Sequence, residues 1–246
     1  MPEPMFKIAG KTHIGAVREQ NEDALWFDQI RCAAIVADGV GGHNAGEVAS
    51  NMTIKTFAKD VADSLGNHSE AAETKTMMME SFSNAHKFVR DAAAADSGRS
   101  GMGTTAVAFC LKSVGYIVAN VGDSRAYLVK PGVLHQITAD HTYVQDLVAS
   151  GEISKAVARR HPERNILNRC IGTKDDIEID FFEGELEDSE RLLLCSDGLH
   201  NMLSEREILA ISSSNQAGDD ICSELVARSI AAGGNDNVSV VIAIPV

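Results

Sequence analysis

Apolar and polar positions along this chain alternate with two periods. Ile54, Phe57, Ala58, Val61, Ala62 and Leu65 keep i, i+3, i+4 spacing, and Met78, Phe82, Ala85, Val89 and Ala92 repeat it, which predicts amphipathic helices over 46–65 and about 70–95. Within the second, Met77-Met78-Met79 reads as core filler. Before them, Phe6 to Ile14 reads as a first strand, Ala24 to Phe27 as a short apolar piece, and Ala33 to Ala37 as a strand buried on both faces. After the Ser97-to-Gly101 loop, strands dominate: Thr104 to Leu111, Tyr116 to Val121, Arg125 to Val129 and, past a Lys130-Pro131-Gly132 turn, Val133 to Ile137. Their short connections imply antiparallel pairing. Helical patterns return over roughly 142–160; Ile177, Ile179 and Phe181 alternate as a strand, and Glu183 to Glu190 reads as a solvated connector. Ser204-Glu205-Arg206-Glu207 is a capping box, Ile221, Cys222, Leu225 and Val226 mark another helix, and Val238 to Ile244 is the final strand. Helix pairs between groups of antiparallel strands predict a layered sheet sandwich with helices outside.

The apolar runs end on carboxylates. Ala33 to Ala37 stops at Asp38-Gly39-Val40-Gly41-Gly42-His43, Leu192 to Cys195 at Ser196-Asp197-Gly198, and Tyr116 to Val121 at Gly122-Asp123, while Asp236 stands just before the last strand. A desolvated, unpaired carboxylate costs several kcal/mol, so such positions argue for a cation beside them. Gly39 has no Cβ to hold a ligand or metal off the backbone. One strand-end Asp is a turn, but four suggest a shared site. Oxygen-only ligands suit Mg²⁺ or Mn²⁺ better than zinc. Earlier in the chain, Arg18 precedes the pair Glu22-Asp23, a spacing that sets a phosphate-gripping guanidinium near metal-gripping acids.

Composition narrows the class. The 246 residues are 44% hydrophobic and 23% charged, enough to bury a core without disulfides. Five cysteines, an odd number without a C-x-x-C pair, read as reduced packing residues of a cytoplasmic protein. No apolar run approaches a membrane span, Met1 to Pro4 lacks signal-peptide character, and a net charge of −13 opposes binding to nucleic acid or anionic lipid.

In order along the chain, Arg18-x-x-Asn21-Glu22-Asp23, Asp38-Gly39-Val40-Gly41-Gly42-His43 with Ala45-Gly46-Glu47, Gly103-Thr104-Thr105, Val121-Gly122-Asp123-Ser124-Arg125-Ala126-Tyr127, Asp140-His141, Cys195-Ser196-Asp197-Gly198-Leu199 and Gly233-Gly234-Asn235-Asp236-Asn237-Val238 together resemble the metal-dependent protein serine/threonine phosphatases of the PP2C (PPM) family, in their compact bacterial form. The resemblance implies an α+β, four-layer α-β-β-α sandwich of two antiparallel sheets flanked by helix pairs, with residues 1–246 forming one phosphatase domain. It implies a two-metal centre held by Asp38, Asp197 and Asp236 with the Gly39 carbonyl, and a third, weaker ion at Asp123 with Asp197. Glu22 and Asp23 match the acid pair that orients metal-bound water or touches a metal, Arg18 the residue that takes the substrate phosphate, and Asn237 a supporting partner. Catalysis would use a hydroxide bridging two Mn²⁺ or Mg²⁺ ions, without a phosphoenzyme.

The partners implied are phosphorylated proteins and a cognate bacterial Ser/Thr kinase, with the enzyme a monomer. Residues 140–172 match the part of bacterial relatives that includes a flap over the cleft. Where eukaryotic relatives carry a histidine two residues after the first metal-binding Asp, this chain has Val40; His43 is the bacterial-type candidate for the general acid. Cys222-x5-Arg228 fits the spacing of cysteine-based phosphatases, but it falls inside a helical pattern without glycine and reads as coincidence. A noncatalytic relative would have lost carboxylates, and every one is present. Nuclease action is disfavoured by the acidic balance.

Overall fold

A computed structural model describes residues 6–41, 45–64, 70–112 and 115–246. The strands are β1 (Phe6–His13), β2 (Asp23–Asp28), β3 (Ala33–Val40), β4 (Gly103–Thr104), β5 (Ala106–Lys112), β6 (Gly115–Val121), β7 (Arg125–Lys130), β8 (Val133–Gln136), β9 (Asp180–Glu185), β10 (Arg191–Cys195) and β11 (Val238–Pro245). The α-helices are α1 (Ala45–Ser64), α2 (Ala71–Ala95), α3 (Tyr143–Ala149), α4 (Lys155–Ala158), α5 (Asp197–His200), α6 (Glu205–Ser212) and α7 (Gly218–Ala231). One sheet runs β1-β11-β10-β7-β8 and the other β2-β3-β5-β6-β9, with β4 pairing the end of β3; the pairings are antiparallel.

Strand alternation builds the layers, because successive side chains point to opposite faces. Ala33, Ile35 and Ala37 of β3, with Ala106, Ala108 and Cys110 of β5, pack under Phe57, Val61, Met78 and Phe82 of α1 and α2. Trp26, Phe57 and Phe82 meet edge to face at centroid separations of 6.1 and 6.2 Å, locking sheet to helices. Leu193 and Cys195 of β10 and Val238, Val240 and Ile242 of β11 do the same under α6 and α7. The opposite rows, among them Ala34, Val36, Val107, Phe109, Leu192, Leu194 and Val241, fill the space between the sheets. The result is the expected four-layer α-β-β-α sandwich, with an apolar core between the sheets.

Several local expectations change. The strand expected to stop at Ala37 continues through Asp38 and Gly39 to Val40, because Gly39 and Val40 find ladder partners in β4. The 142–160 helix is two short ones, each capped by a hydroxyl, Thr142 and Ser154, and separated at Gly151 with φ +79°. Ile177 and Ile179 are half-buried against the helix-side core but precede the ladder, so the strand there starts at Asp180 and takes in Glu183 and Glu185. Met77 and Met78 are core residues, whereas Met79 is 48% exposed. The short link Gly122-Asp123-Ser124 is no hairpin: β6 and β7 belong to opposite sheets, and the link crosses between them. The capping box of α6 forms as read, Ser204 and Glu207 bonding reciprocally. Leu65 and His43 lie outside the described residues.

Candidate active site

At one end of the intersheet core every inward row turns from apolar to polar. Beyond Leu25 stands Asp23, beyond Val36 Asp38, beyond Val107 Thr105, beyond Leu194 Ser196, beyond Val241 Ser239 and beyond Ala126 Ser124. Ladder register sets Asp23 directly opposite Asp38. Ser196 Oγ donates to Asp23 Oδ2 at 2.7 Å and accepts from the Ser239 amide at 2.9 Å, which spans the two sheets. The Asp38 backbone is held on both sides: its amide donates to Thr105 Oγ1 at 3.0 Å, and its carbonyl accepts from the Thr104 hydroxyl at 2.9 Å and the Thr105 amide at 2.8 Å. Thr105 and Ser124 hydroxyls meet at 2.6 Å.

Gly39 is closely approached, though by protein backbone on the side its Cβ would occupy: a side chain there would collide with the carbonyls of Gly46 and Glu22. That contact seats the start of α1 against the end of β3. The Glu22 carbonyl accepts from Gly39 N and Ser50 Oγ, and the Glu22 carboxyl lies over Gly46. Glu22 and Asp23 share Asp236 as a neighbour and otherwise differ: Asp23 also faces Asp38 and Asp197, and Glu22 faces Arg18 and Glu47. Asp197, one residue beyond Ser196, opens α5, and its Oδ2 accepts from Asn201 at 3.0 Å. Asp236 bonds Arg18 Nη2 at 2.8 Å, with the two side chains 34% and 50% exposed.

Asn237 organises the Arg18 loop. Its Oδ1 accepts from the Glu22 amide at 2.8 Å, and its Nδ2 donates to the Ile14 and Gln20 carbonyls at 2.9 and 2.8 Å.

The carboxyls titrate as a crowded, buried group. Burial pushes Asp23 up to about 7, against the Ser196 and Ser239 hydrogen bonds and with help from Asp197 and Asp236. Asp197 is pushed up to about 6 by burial and Asp236, moderated by a hydrogen bond shared with Asp38. Asp38 and Asp123 are held well above the usual carboxylate range by burial and by neighbouring carboxylates. The buried Oδ1 atoms of Asp23 and Asp197 have no hydrogen-bond partner. Two orphaned carboxylate oxygens in an all-oxygen set fit a hard divalent cation. Among the described residues no three His, Cys, Asp or Glu side chains stand close enough together, as placed, to hold a metal ion. Asp123, Asp197 and Asp236 face a cleft of about 1030 Å³ whose other wall carries Gln145, Lys155 and Arg164.

Residues 9–231 match the family model for protein phosphatase 2C. The chain belongs to the protein phosphatase 2C family. It is 37% identical over 235 residues to the serine/threonine phosphatase stp of Listeria monocytogenes, covering 94% of this chain and 93% of that protein, and 35% identical over 240 residues to the protein phosphatase PhpP of Streptococcus pneumoniae, covering 96% of each. Among solved structures, the serine/threonine phosphatase of S. agalactiae superposes with a TM-score of 0.92 at 33% identity, covering 98% of this chain and 100% of that one. The catalytic domain of the phosphatase PstP in complex with two manganese ions superposes with a TM-score of 0.85 at 31% identity, covering 98% of each. This PP2C enzyme is a protein serine/threonine phosphatase.

The site gathers Glu22, Asp23, Asp38, Asp123, Asp197, Asp236 and Arg18 at one end of the sandwich. Sequence reading gave no role to Thr105, Ser196 or Ser239; the signal was there in hydroxyls standing two residues beyond an inward apolar position. Cys222 is buried in α7 with its thiol pushed up to about 12 by burial, which removes it as a nucleophile.

Proposed function

We propose that this phosphatase removes phosphate from phosphoserine and phosphothreonine with two tightly held Mn²⁺ or Mg²⁺ ions, whose protein ligands are Asp38, the Gly39 carbonyl, Asp197 and Asp236. The observation that carries the reading is the crowding of Asp23, Asp38, Asp123 and Asp197, each raised by burial and neighbouring charge. Such a group ionises together at neutral pH only beside compensating cations. When bound, the ions supply water whose pKa falls from about 15.7 toward about 7 and neutralise phosphoryl charge.

The chain's own groups do the rest. Arg18, half exposed on Asp236, exchanges that carboxylate for two phosphate oxygens and orients phosphorus for in-line attack. Asp23 and Glu22 accept hydrogen bonds from waters of the site. Asp123 with Asp197 would hold a third, weaker ion. Asn237 holds the loop that presents Arg18. Residues 140–172 roof the cleft as a flap, and residues 1–246 act as one domain and as a monomer. A Ser/Thr kinase must supply the substrate, because only that reaction makes the phosphoester consumed here.

The test is p-nitrophenyl phosphate and phosphopeptide hydrolysis before and after chelation. Activity is expected to vanish with chelator, to return with Mn²⁺ or Mg²⁺, and to fall at least about 10²-fold in Asp38→Asn. Full turnover on zinc alone, or a near wild-type rate in Asp38→Asn, would place the chemistry elsewhere.

A further inference from the structure

His141 has no part in the chemistry above, yet its ring is fully used. Its side chain is 7% exposed, and its Nδ1 stands 3.1 Å from the Gly122 amide. An amide N–H can only donate, so Nδ1 carries no proton. The proton is therefore on Nε2, which donates to Asp180 Oδ2 at 3.0 Å; Arg169 Nη1, 3.5 Å from Nε2, donates instead to Asp180 Oδ1 at 2.9 Å. Asp180 is fixed in turn by Arg169, bonded to its Oδ1 at 2.9 Å and to Glu178 at 2.9 Å.

The backbone of His141 repeats the grip. Its amide donates to the Gly122 carbonyl at 3.0 Å, a carbonyl that also accepts from Asn120 Nδ2 at 3.3 Å. Gly122 has φ +109°, and a Cβ there would stand 2.6 Å from the Thr105 side chain. The residue it orients is Asp123, 9% exposed, on the link that crosses between the sheets. On its other side, the His141 carbonyl accepts from Asn168 N at 2.9 Å, and Thr142 bridges Leu167. Both feet of the segment that covers the cleft thus meet on this histidine.

We infer that His141, oriented by Asp180, is a positioning residue that aims the Asp123 carboxylate through the Gly122 backbone and ties that aim to the base of the cleft-covering segment. The inference rests on the reading of Asp123 as a ligand of the weaker ion. Removing an outer partner that orients a metal ligand typically costs about 10–100-fold in metal affinity; with a backbone turn in between, the lower end, about tenfold, is expected. His141→Phe keeps the ring volume and loses both ring hydrogen bonds. His141→Asn sets an amide oxygen where Nδ1 stands, so it keeps the acceptor for Gly122 and loses only Asp180.

The test has two arms. In metal-free, ¹⁵N-labelled protein, long-range ring spectra are expected to show the Nε2–H tautomer at His141, and the Gly122 amide to be protected from exchange in wild type and His141→Asn but not in His141→Phe. With metal, the Mn²⁺ concentration for half-maximal turnover is expected to rise about tenfold in His141→Phe, to recover most of the way in His141→Asn, and to leave the tightly bound ions unchanged by calorimetry. Asp180→Ala, at a side chain 39% exposed, is expected to shift the Mn²⁺ dependence in the same direction and serves if His141→Phe does not fold. An Nδ1–H tautomer overturns the inference, as does His141→Phe, or Asp180→Ala in its place, that lowers Tm but leaves the Mn²⁺ dependence of turnover unchanged. Asp123→Ala separates the two readings: if it too leaves the Mn²⁺ dependence unchanged, the assignment of Asp123 is what fails.

Discussion

Asn237→Asp is nearly isosteric: it replaces an amide donor by an acceptor and adds a negative charge beside Asp236 and Glu22, so the hydrogen-bond loss is the lower bound of its effect. Asn237 is 5% exposed and makes three bonds to the 14–22 loop, one as acceptor from Glu22 N and two as donor to the carbonyls of Ile14 and Gln20. A carboxylate keeps the first and loses the other two, and it sets an acceptor against two acceptors. Each buried group left unsatisfied costs about 1–3 kcal/mol, so the substitution removes about 2–6 kcal/mol from the docked loop. If all of it were felt globally, a loss of about 3 kcal/mol would lower Tm by roughly 6–12 °C in a chain of this length. The loop can also open alone, so part of the loss is expected as faster hydrogen exchange over 14–22 and a higher KM for p-nitrophenyl phosphate, because Arg18 sits at its centre. Exchange mass spectrometry, thermal melting and steady-state kinetics on the same sample read all three. A Tm within about 1 °C of wild type, with unchanged exchange in the loop, would mean that the loop is held by other contacts and that the reasoning fails.

Two further outcomes follow from the site's electrostatics. Arg18→Ala is expected to raise KM for phosphosubstrates with little change in Tm, since an ion pair this exposed contributes about 0–1 kcal/mol, and Arg18→Lys to rescue only in part; unchanged kinetics would make Arg18 a surface residue. The Asp23 carboxyl, near 7 in the folded, metal-free protein and about 3.9 unfolded, binds its proton more tightly in the native state, so its contribution is full below about pH 4 and is lost as pH rises through about 7. Metal-free Asp23→Asn is therefore expected to gain stability relative to wild type between pH 5 and pH 8, by a few kcal/mol at most, as read by denaturant melts. His86 and His200, which burial lowers, the latter to about 3, push the opposite way in both proteins and cancel in the difference. Parallel pH profiles for the two proteins would refute the buried-acid reading of Asp23.

Much of this was legible along the chain because it is local. Apolar residues at i, i+3 and i+4 place α1 and α2 within a residue or two at the ends described, since a helix must turn one face to a core whatever that core is. The carboxylates ending β6 and β10 and preceding β11 were visible because charge at the end of a buried run is costly wherever it falls. Where sequence reading erred, a distant partner decided: the strand runs on past Ala37 because Asp38 pairs with Asp23 and Gly39 with Thr104, and Ile177 and Ile179 alternate without a ladder because they pack against the helix-side core rather than beside a neighbouring strand.

The order of residues by itself determined the period of each element, the family, and the chemical type of the site, all oxygen ligands with one guanidinium. Tertiary structure alone decided that Gly122-Asp123-Ser124 crosses between sheets, that Asp197 neighbours Asp23 while Arg18 and Glu47 neighbour Glu22, and that His141 meets Gly122 rather than the cleft. Those outcomes depend on which strands become neighbours and in what register. Register in a sheet is selected by burial summed over whole faces, a quantity that no short stretch of sequence contains.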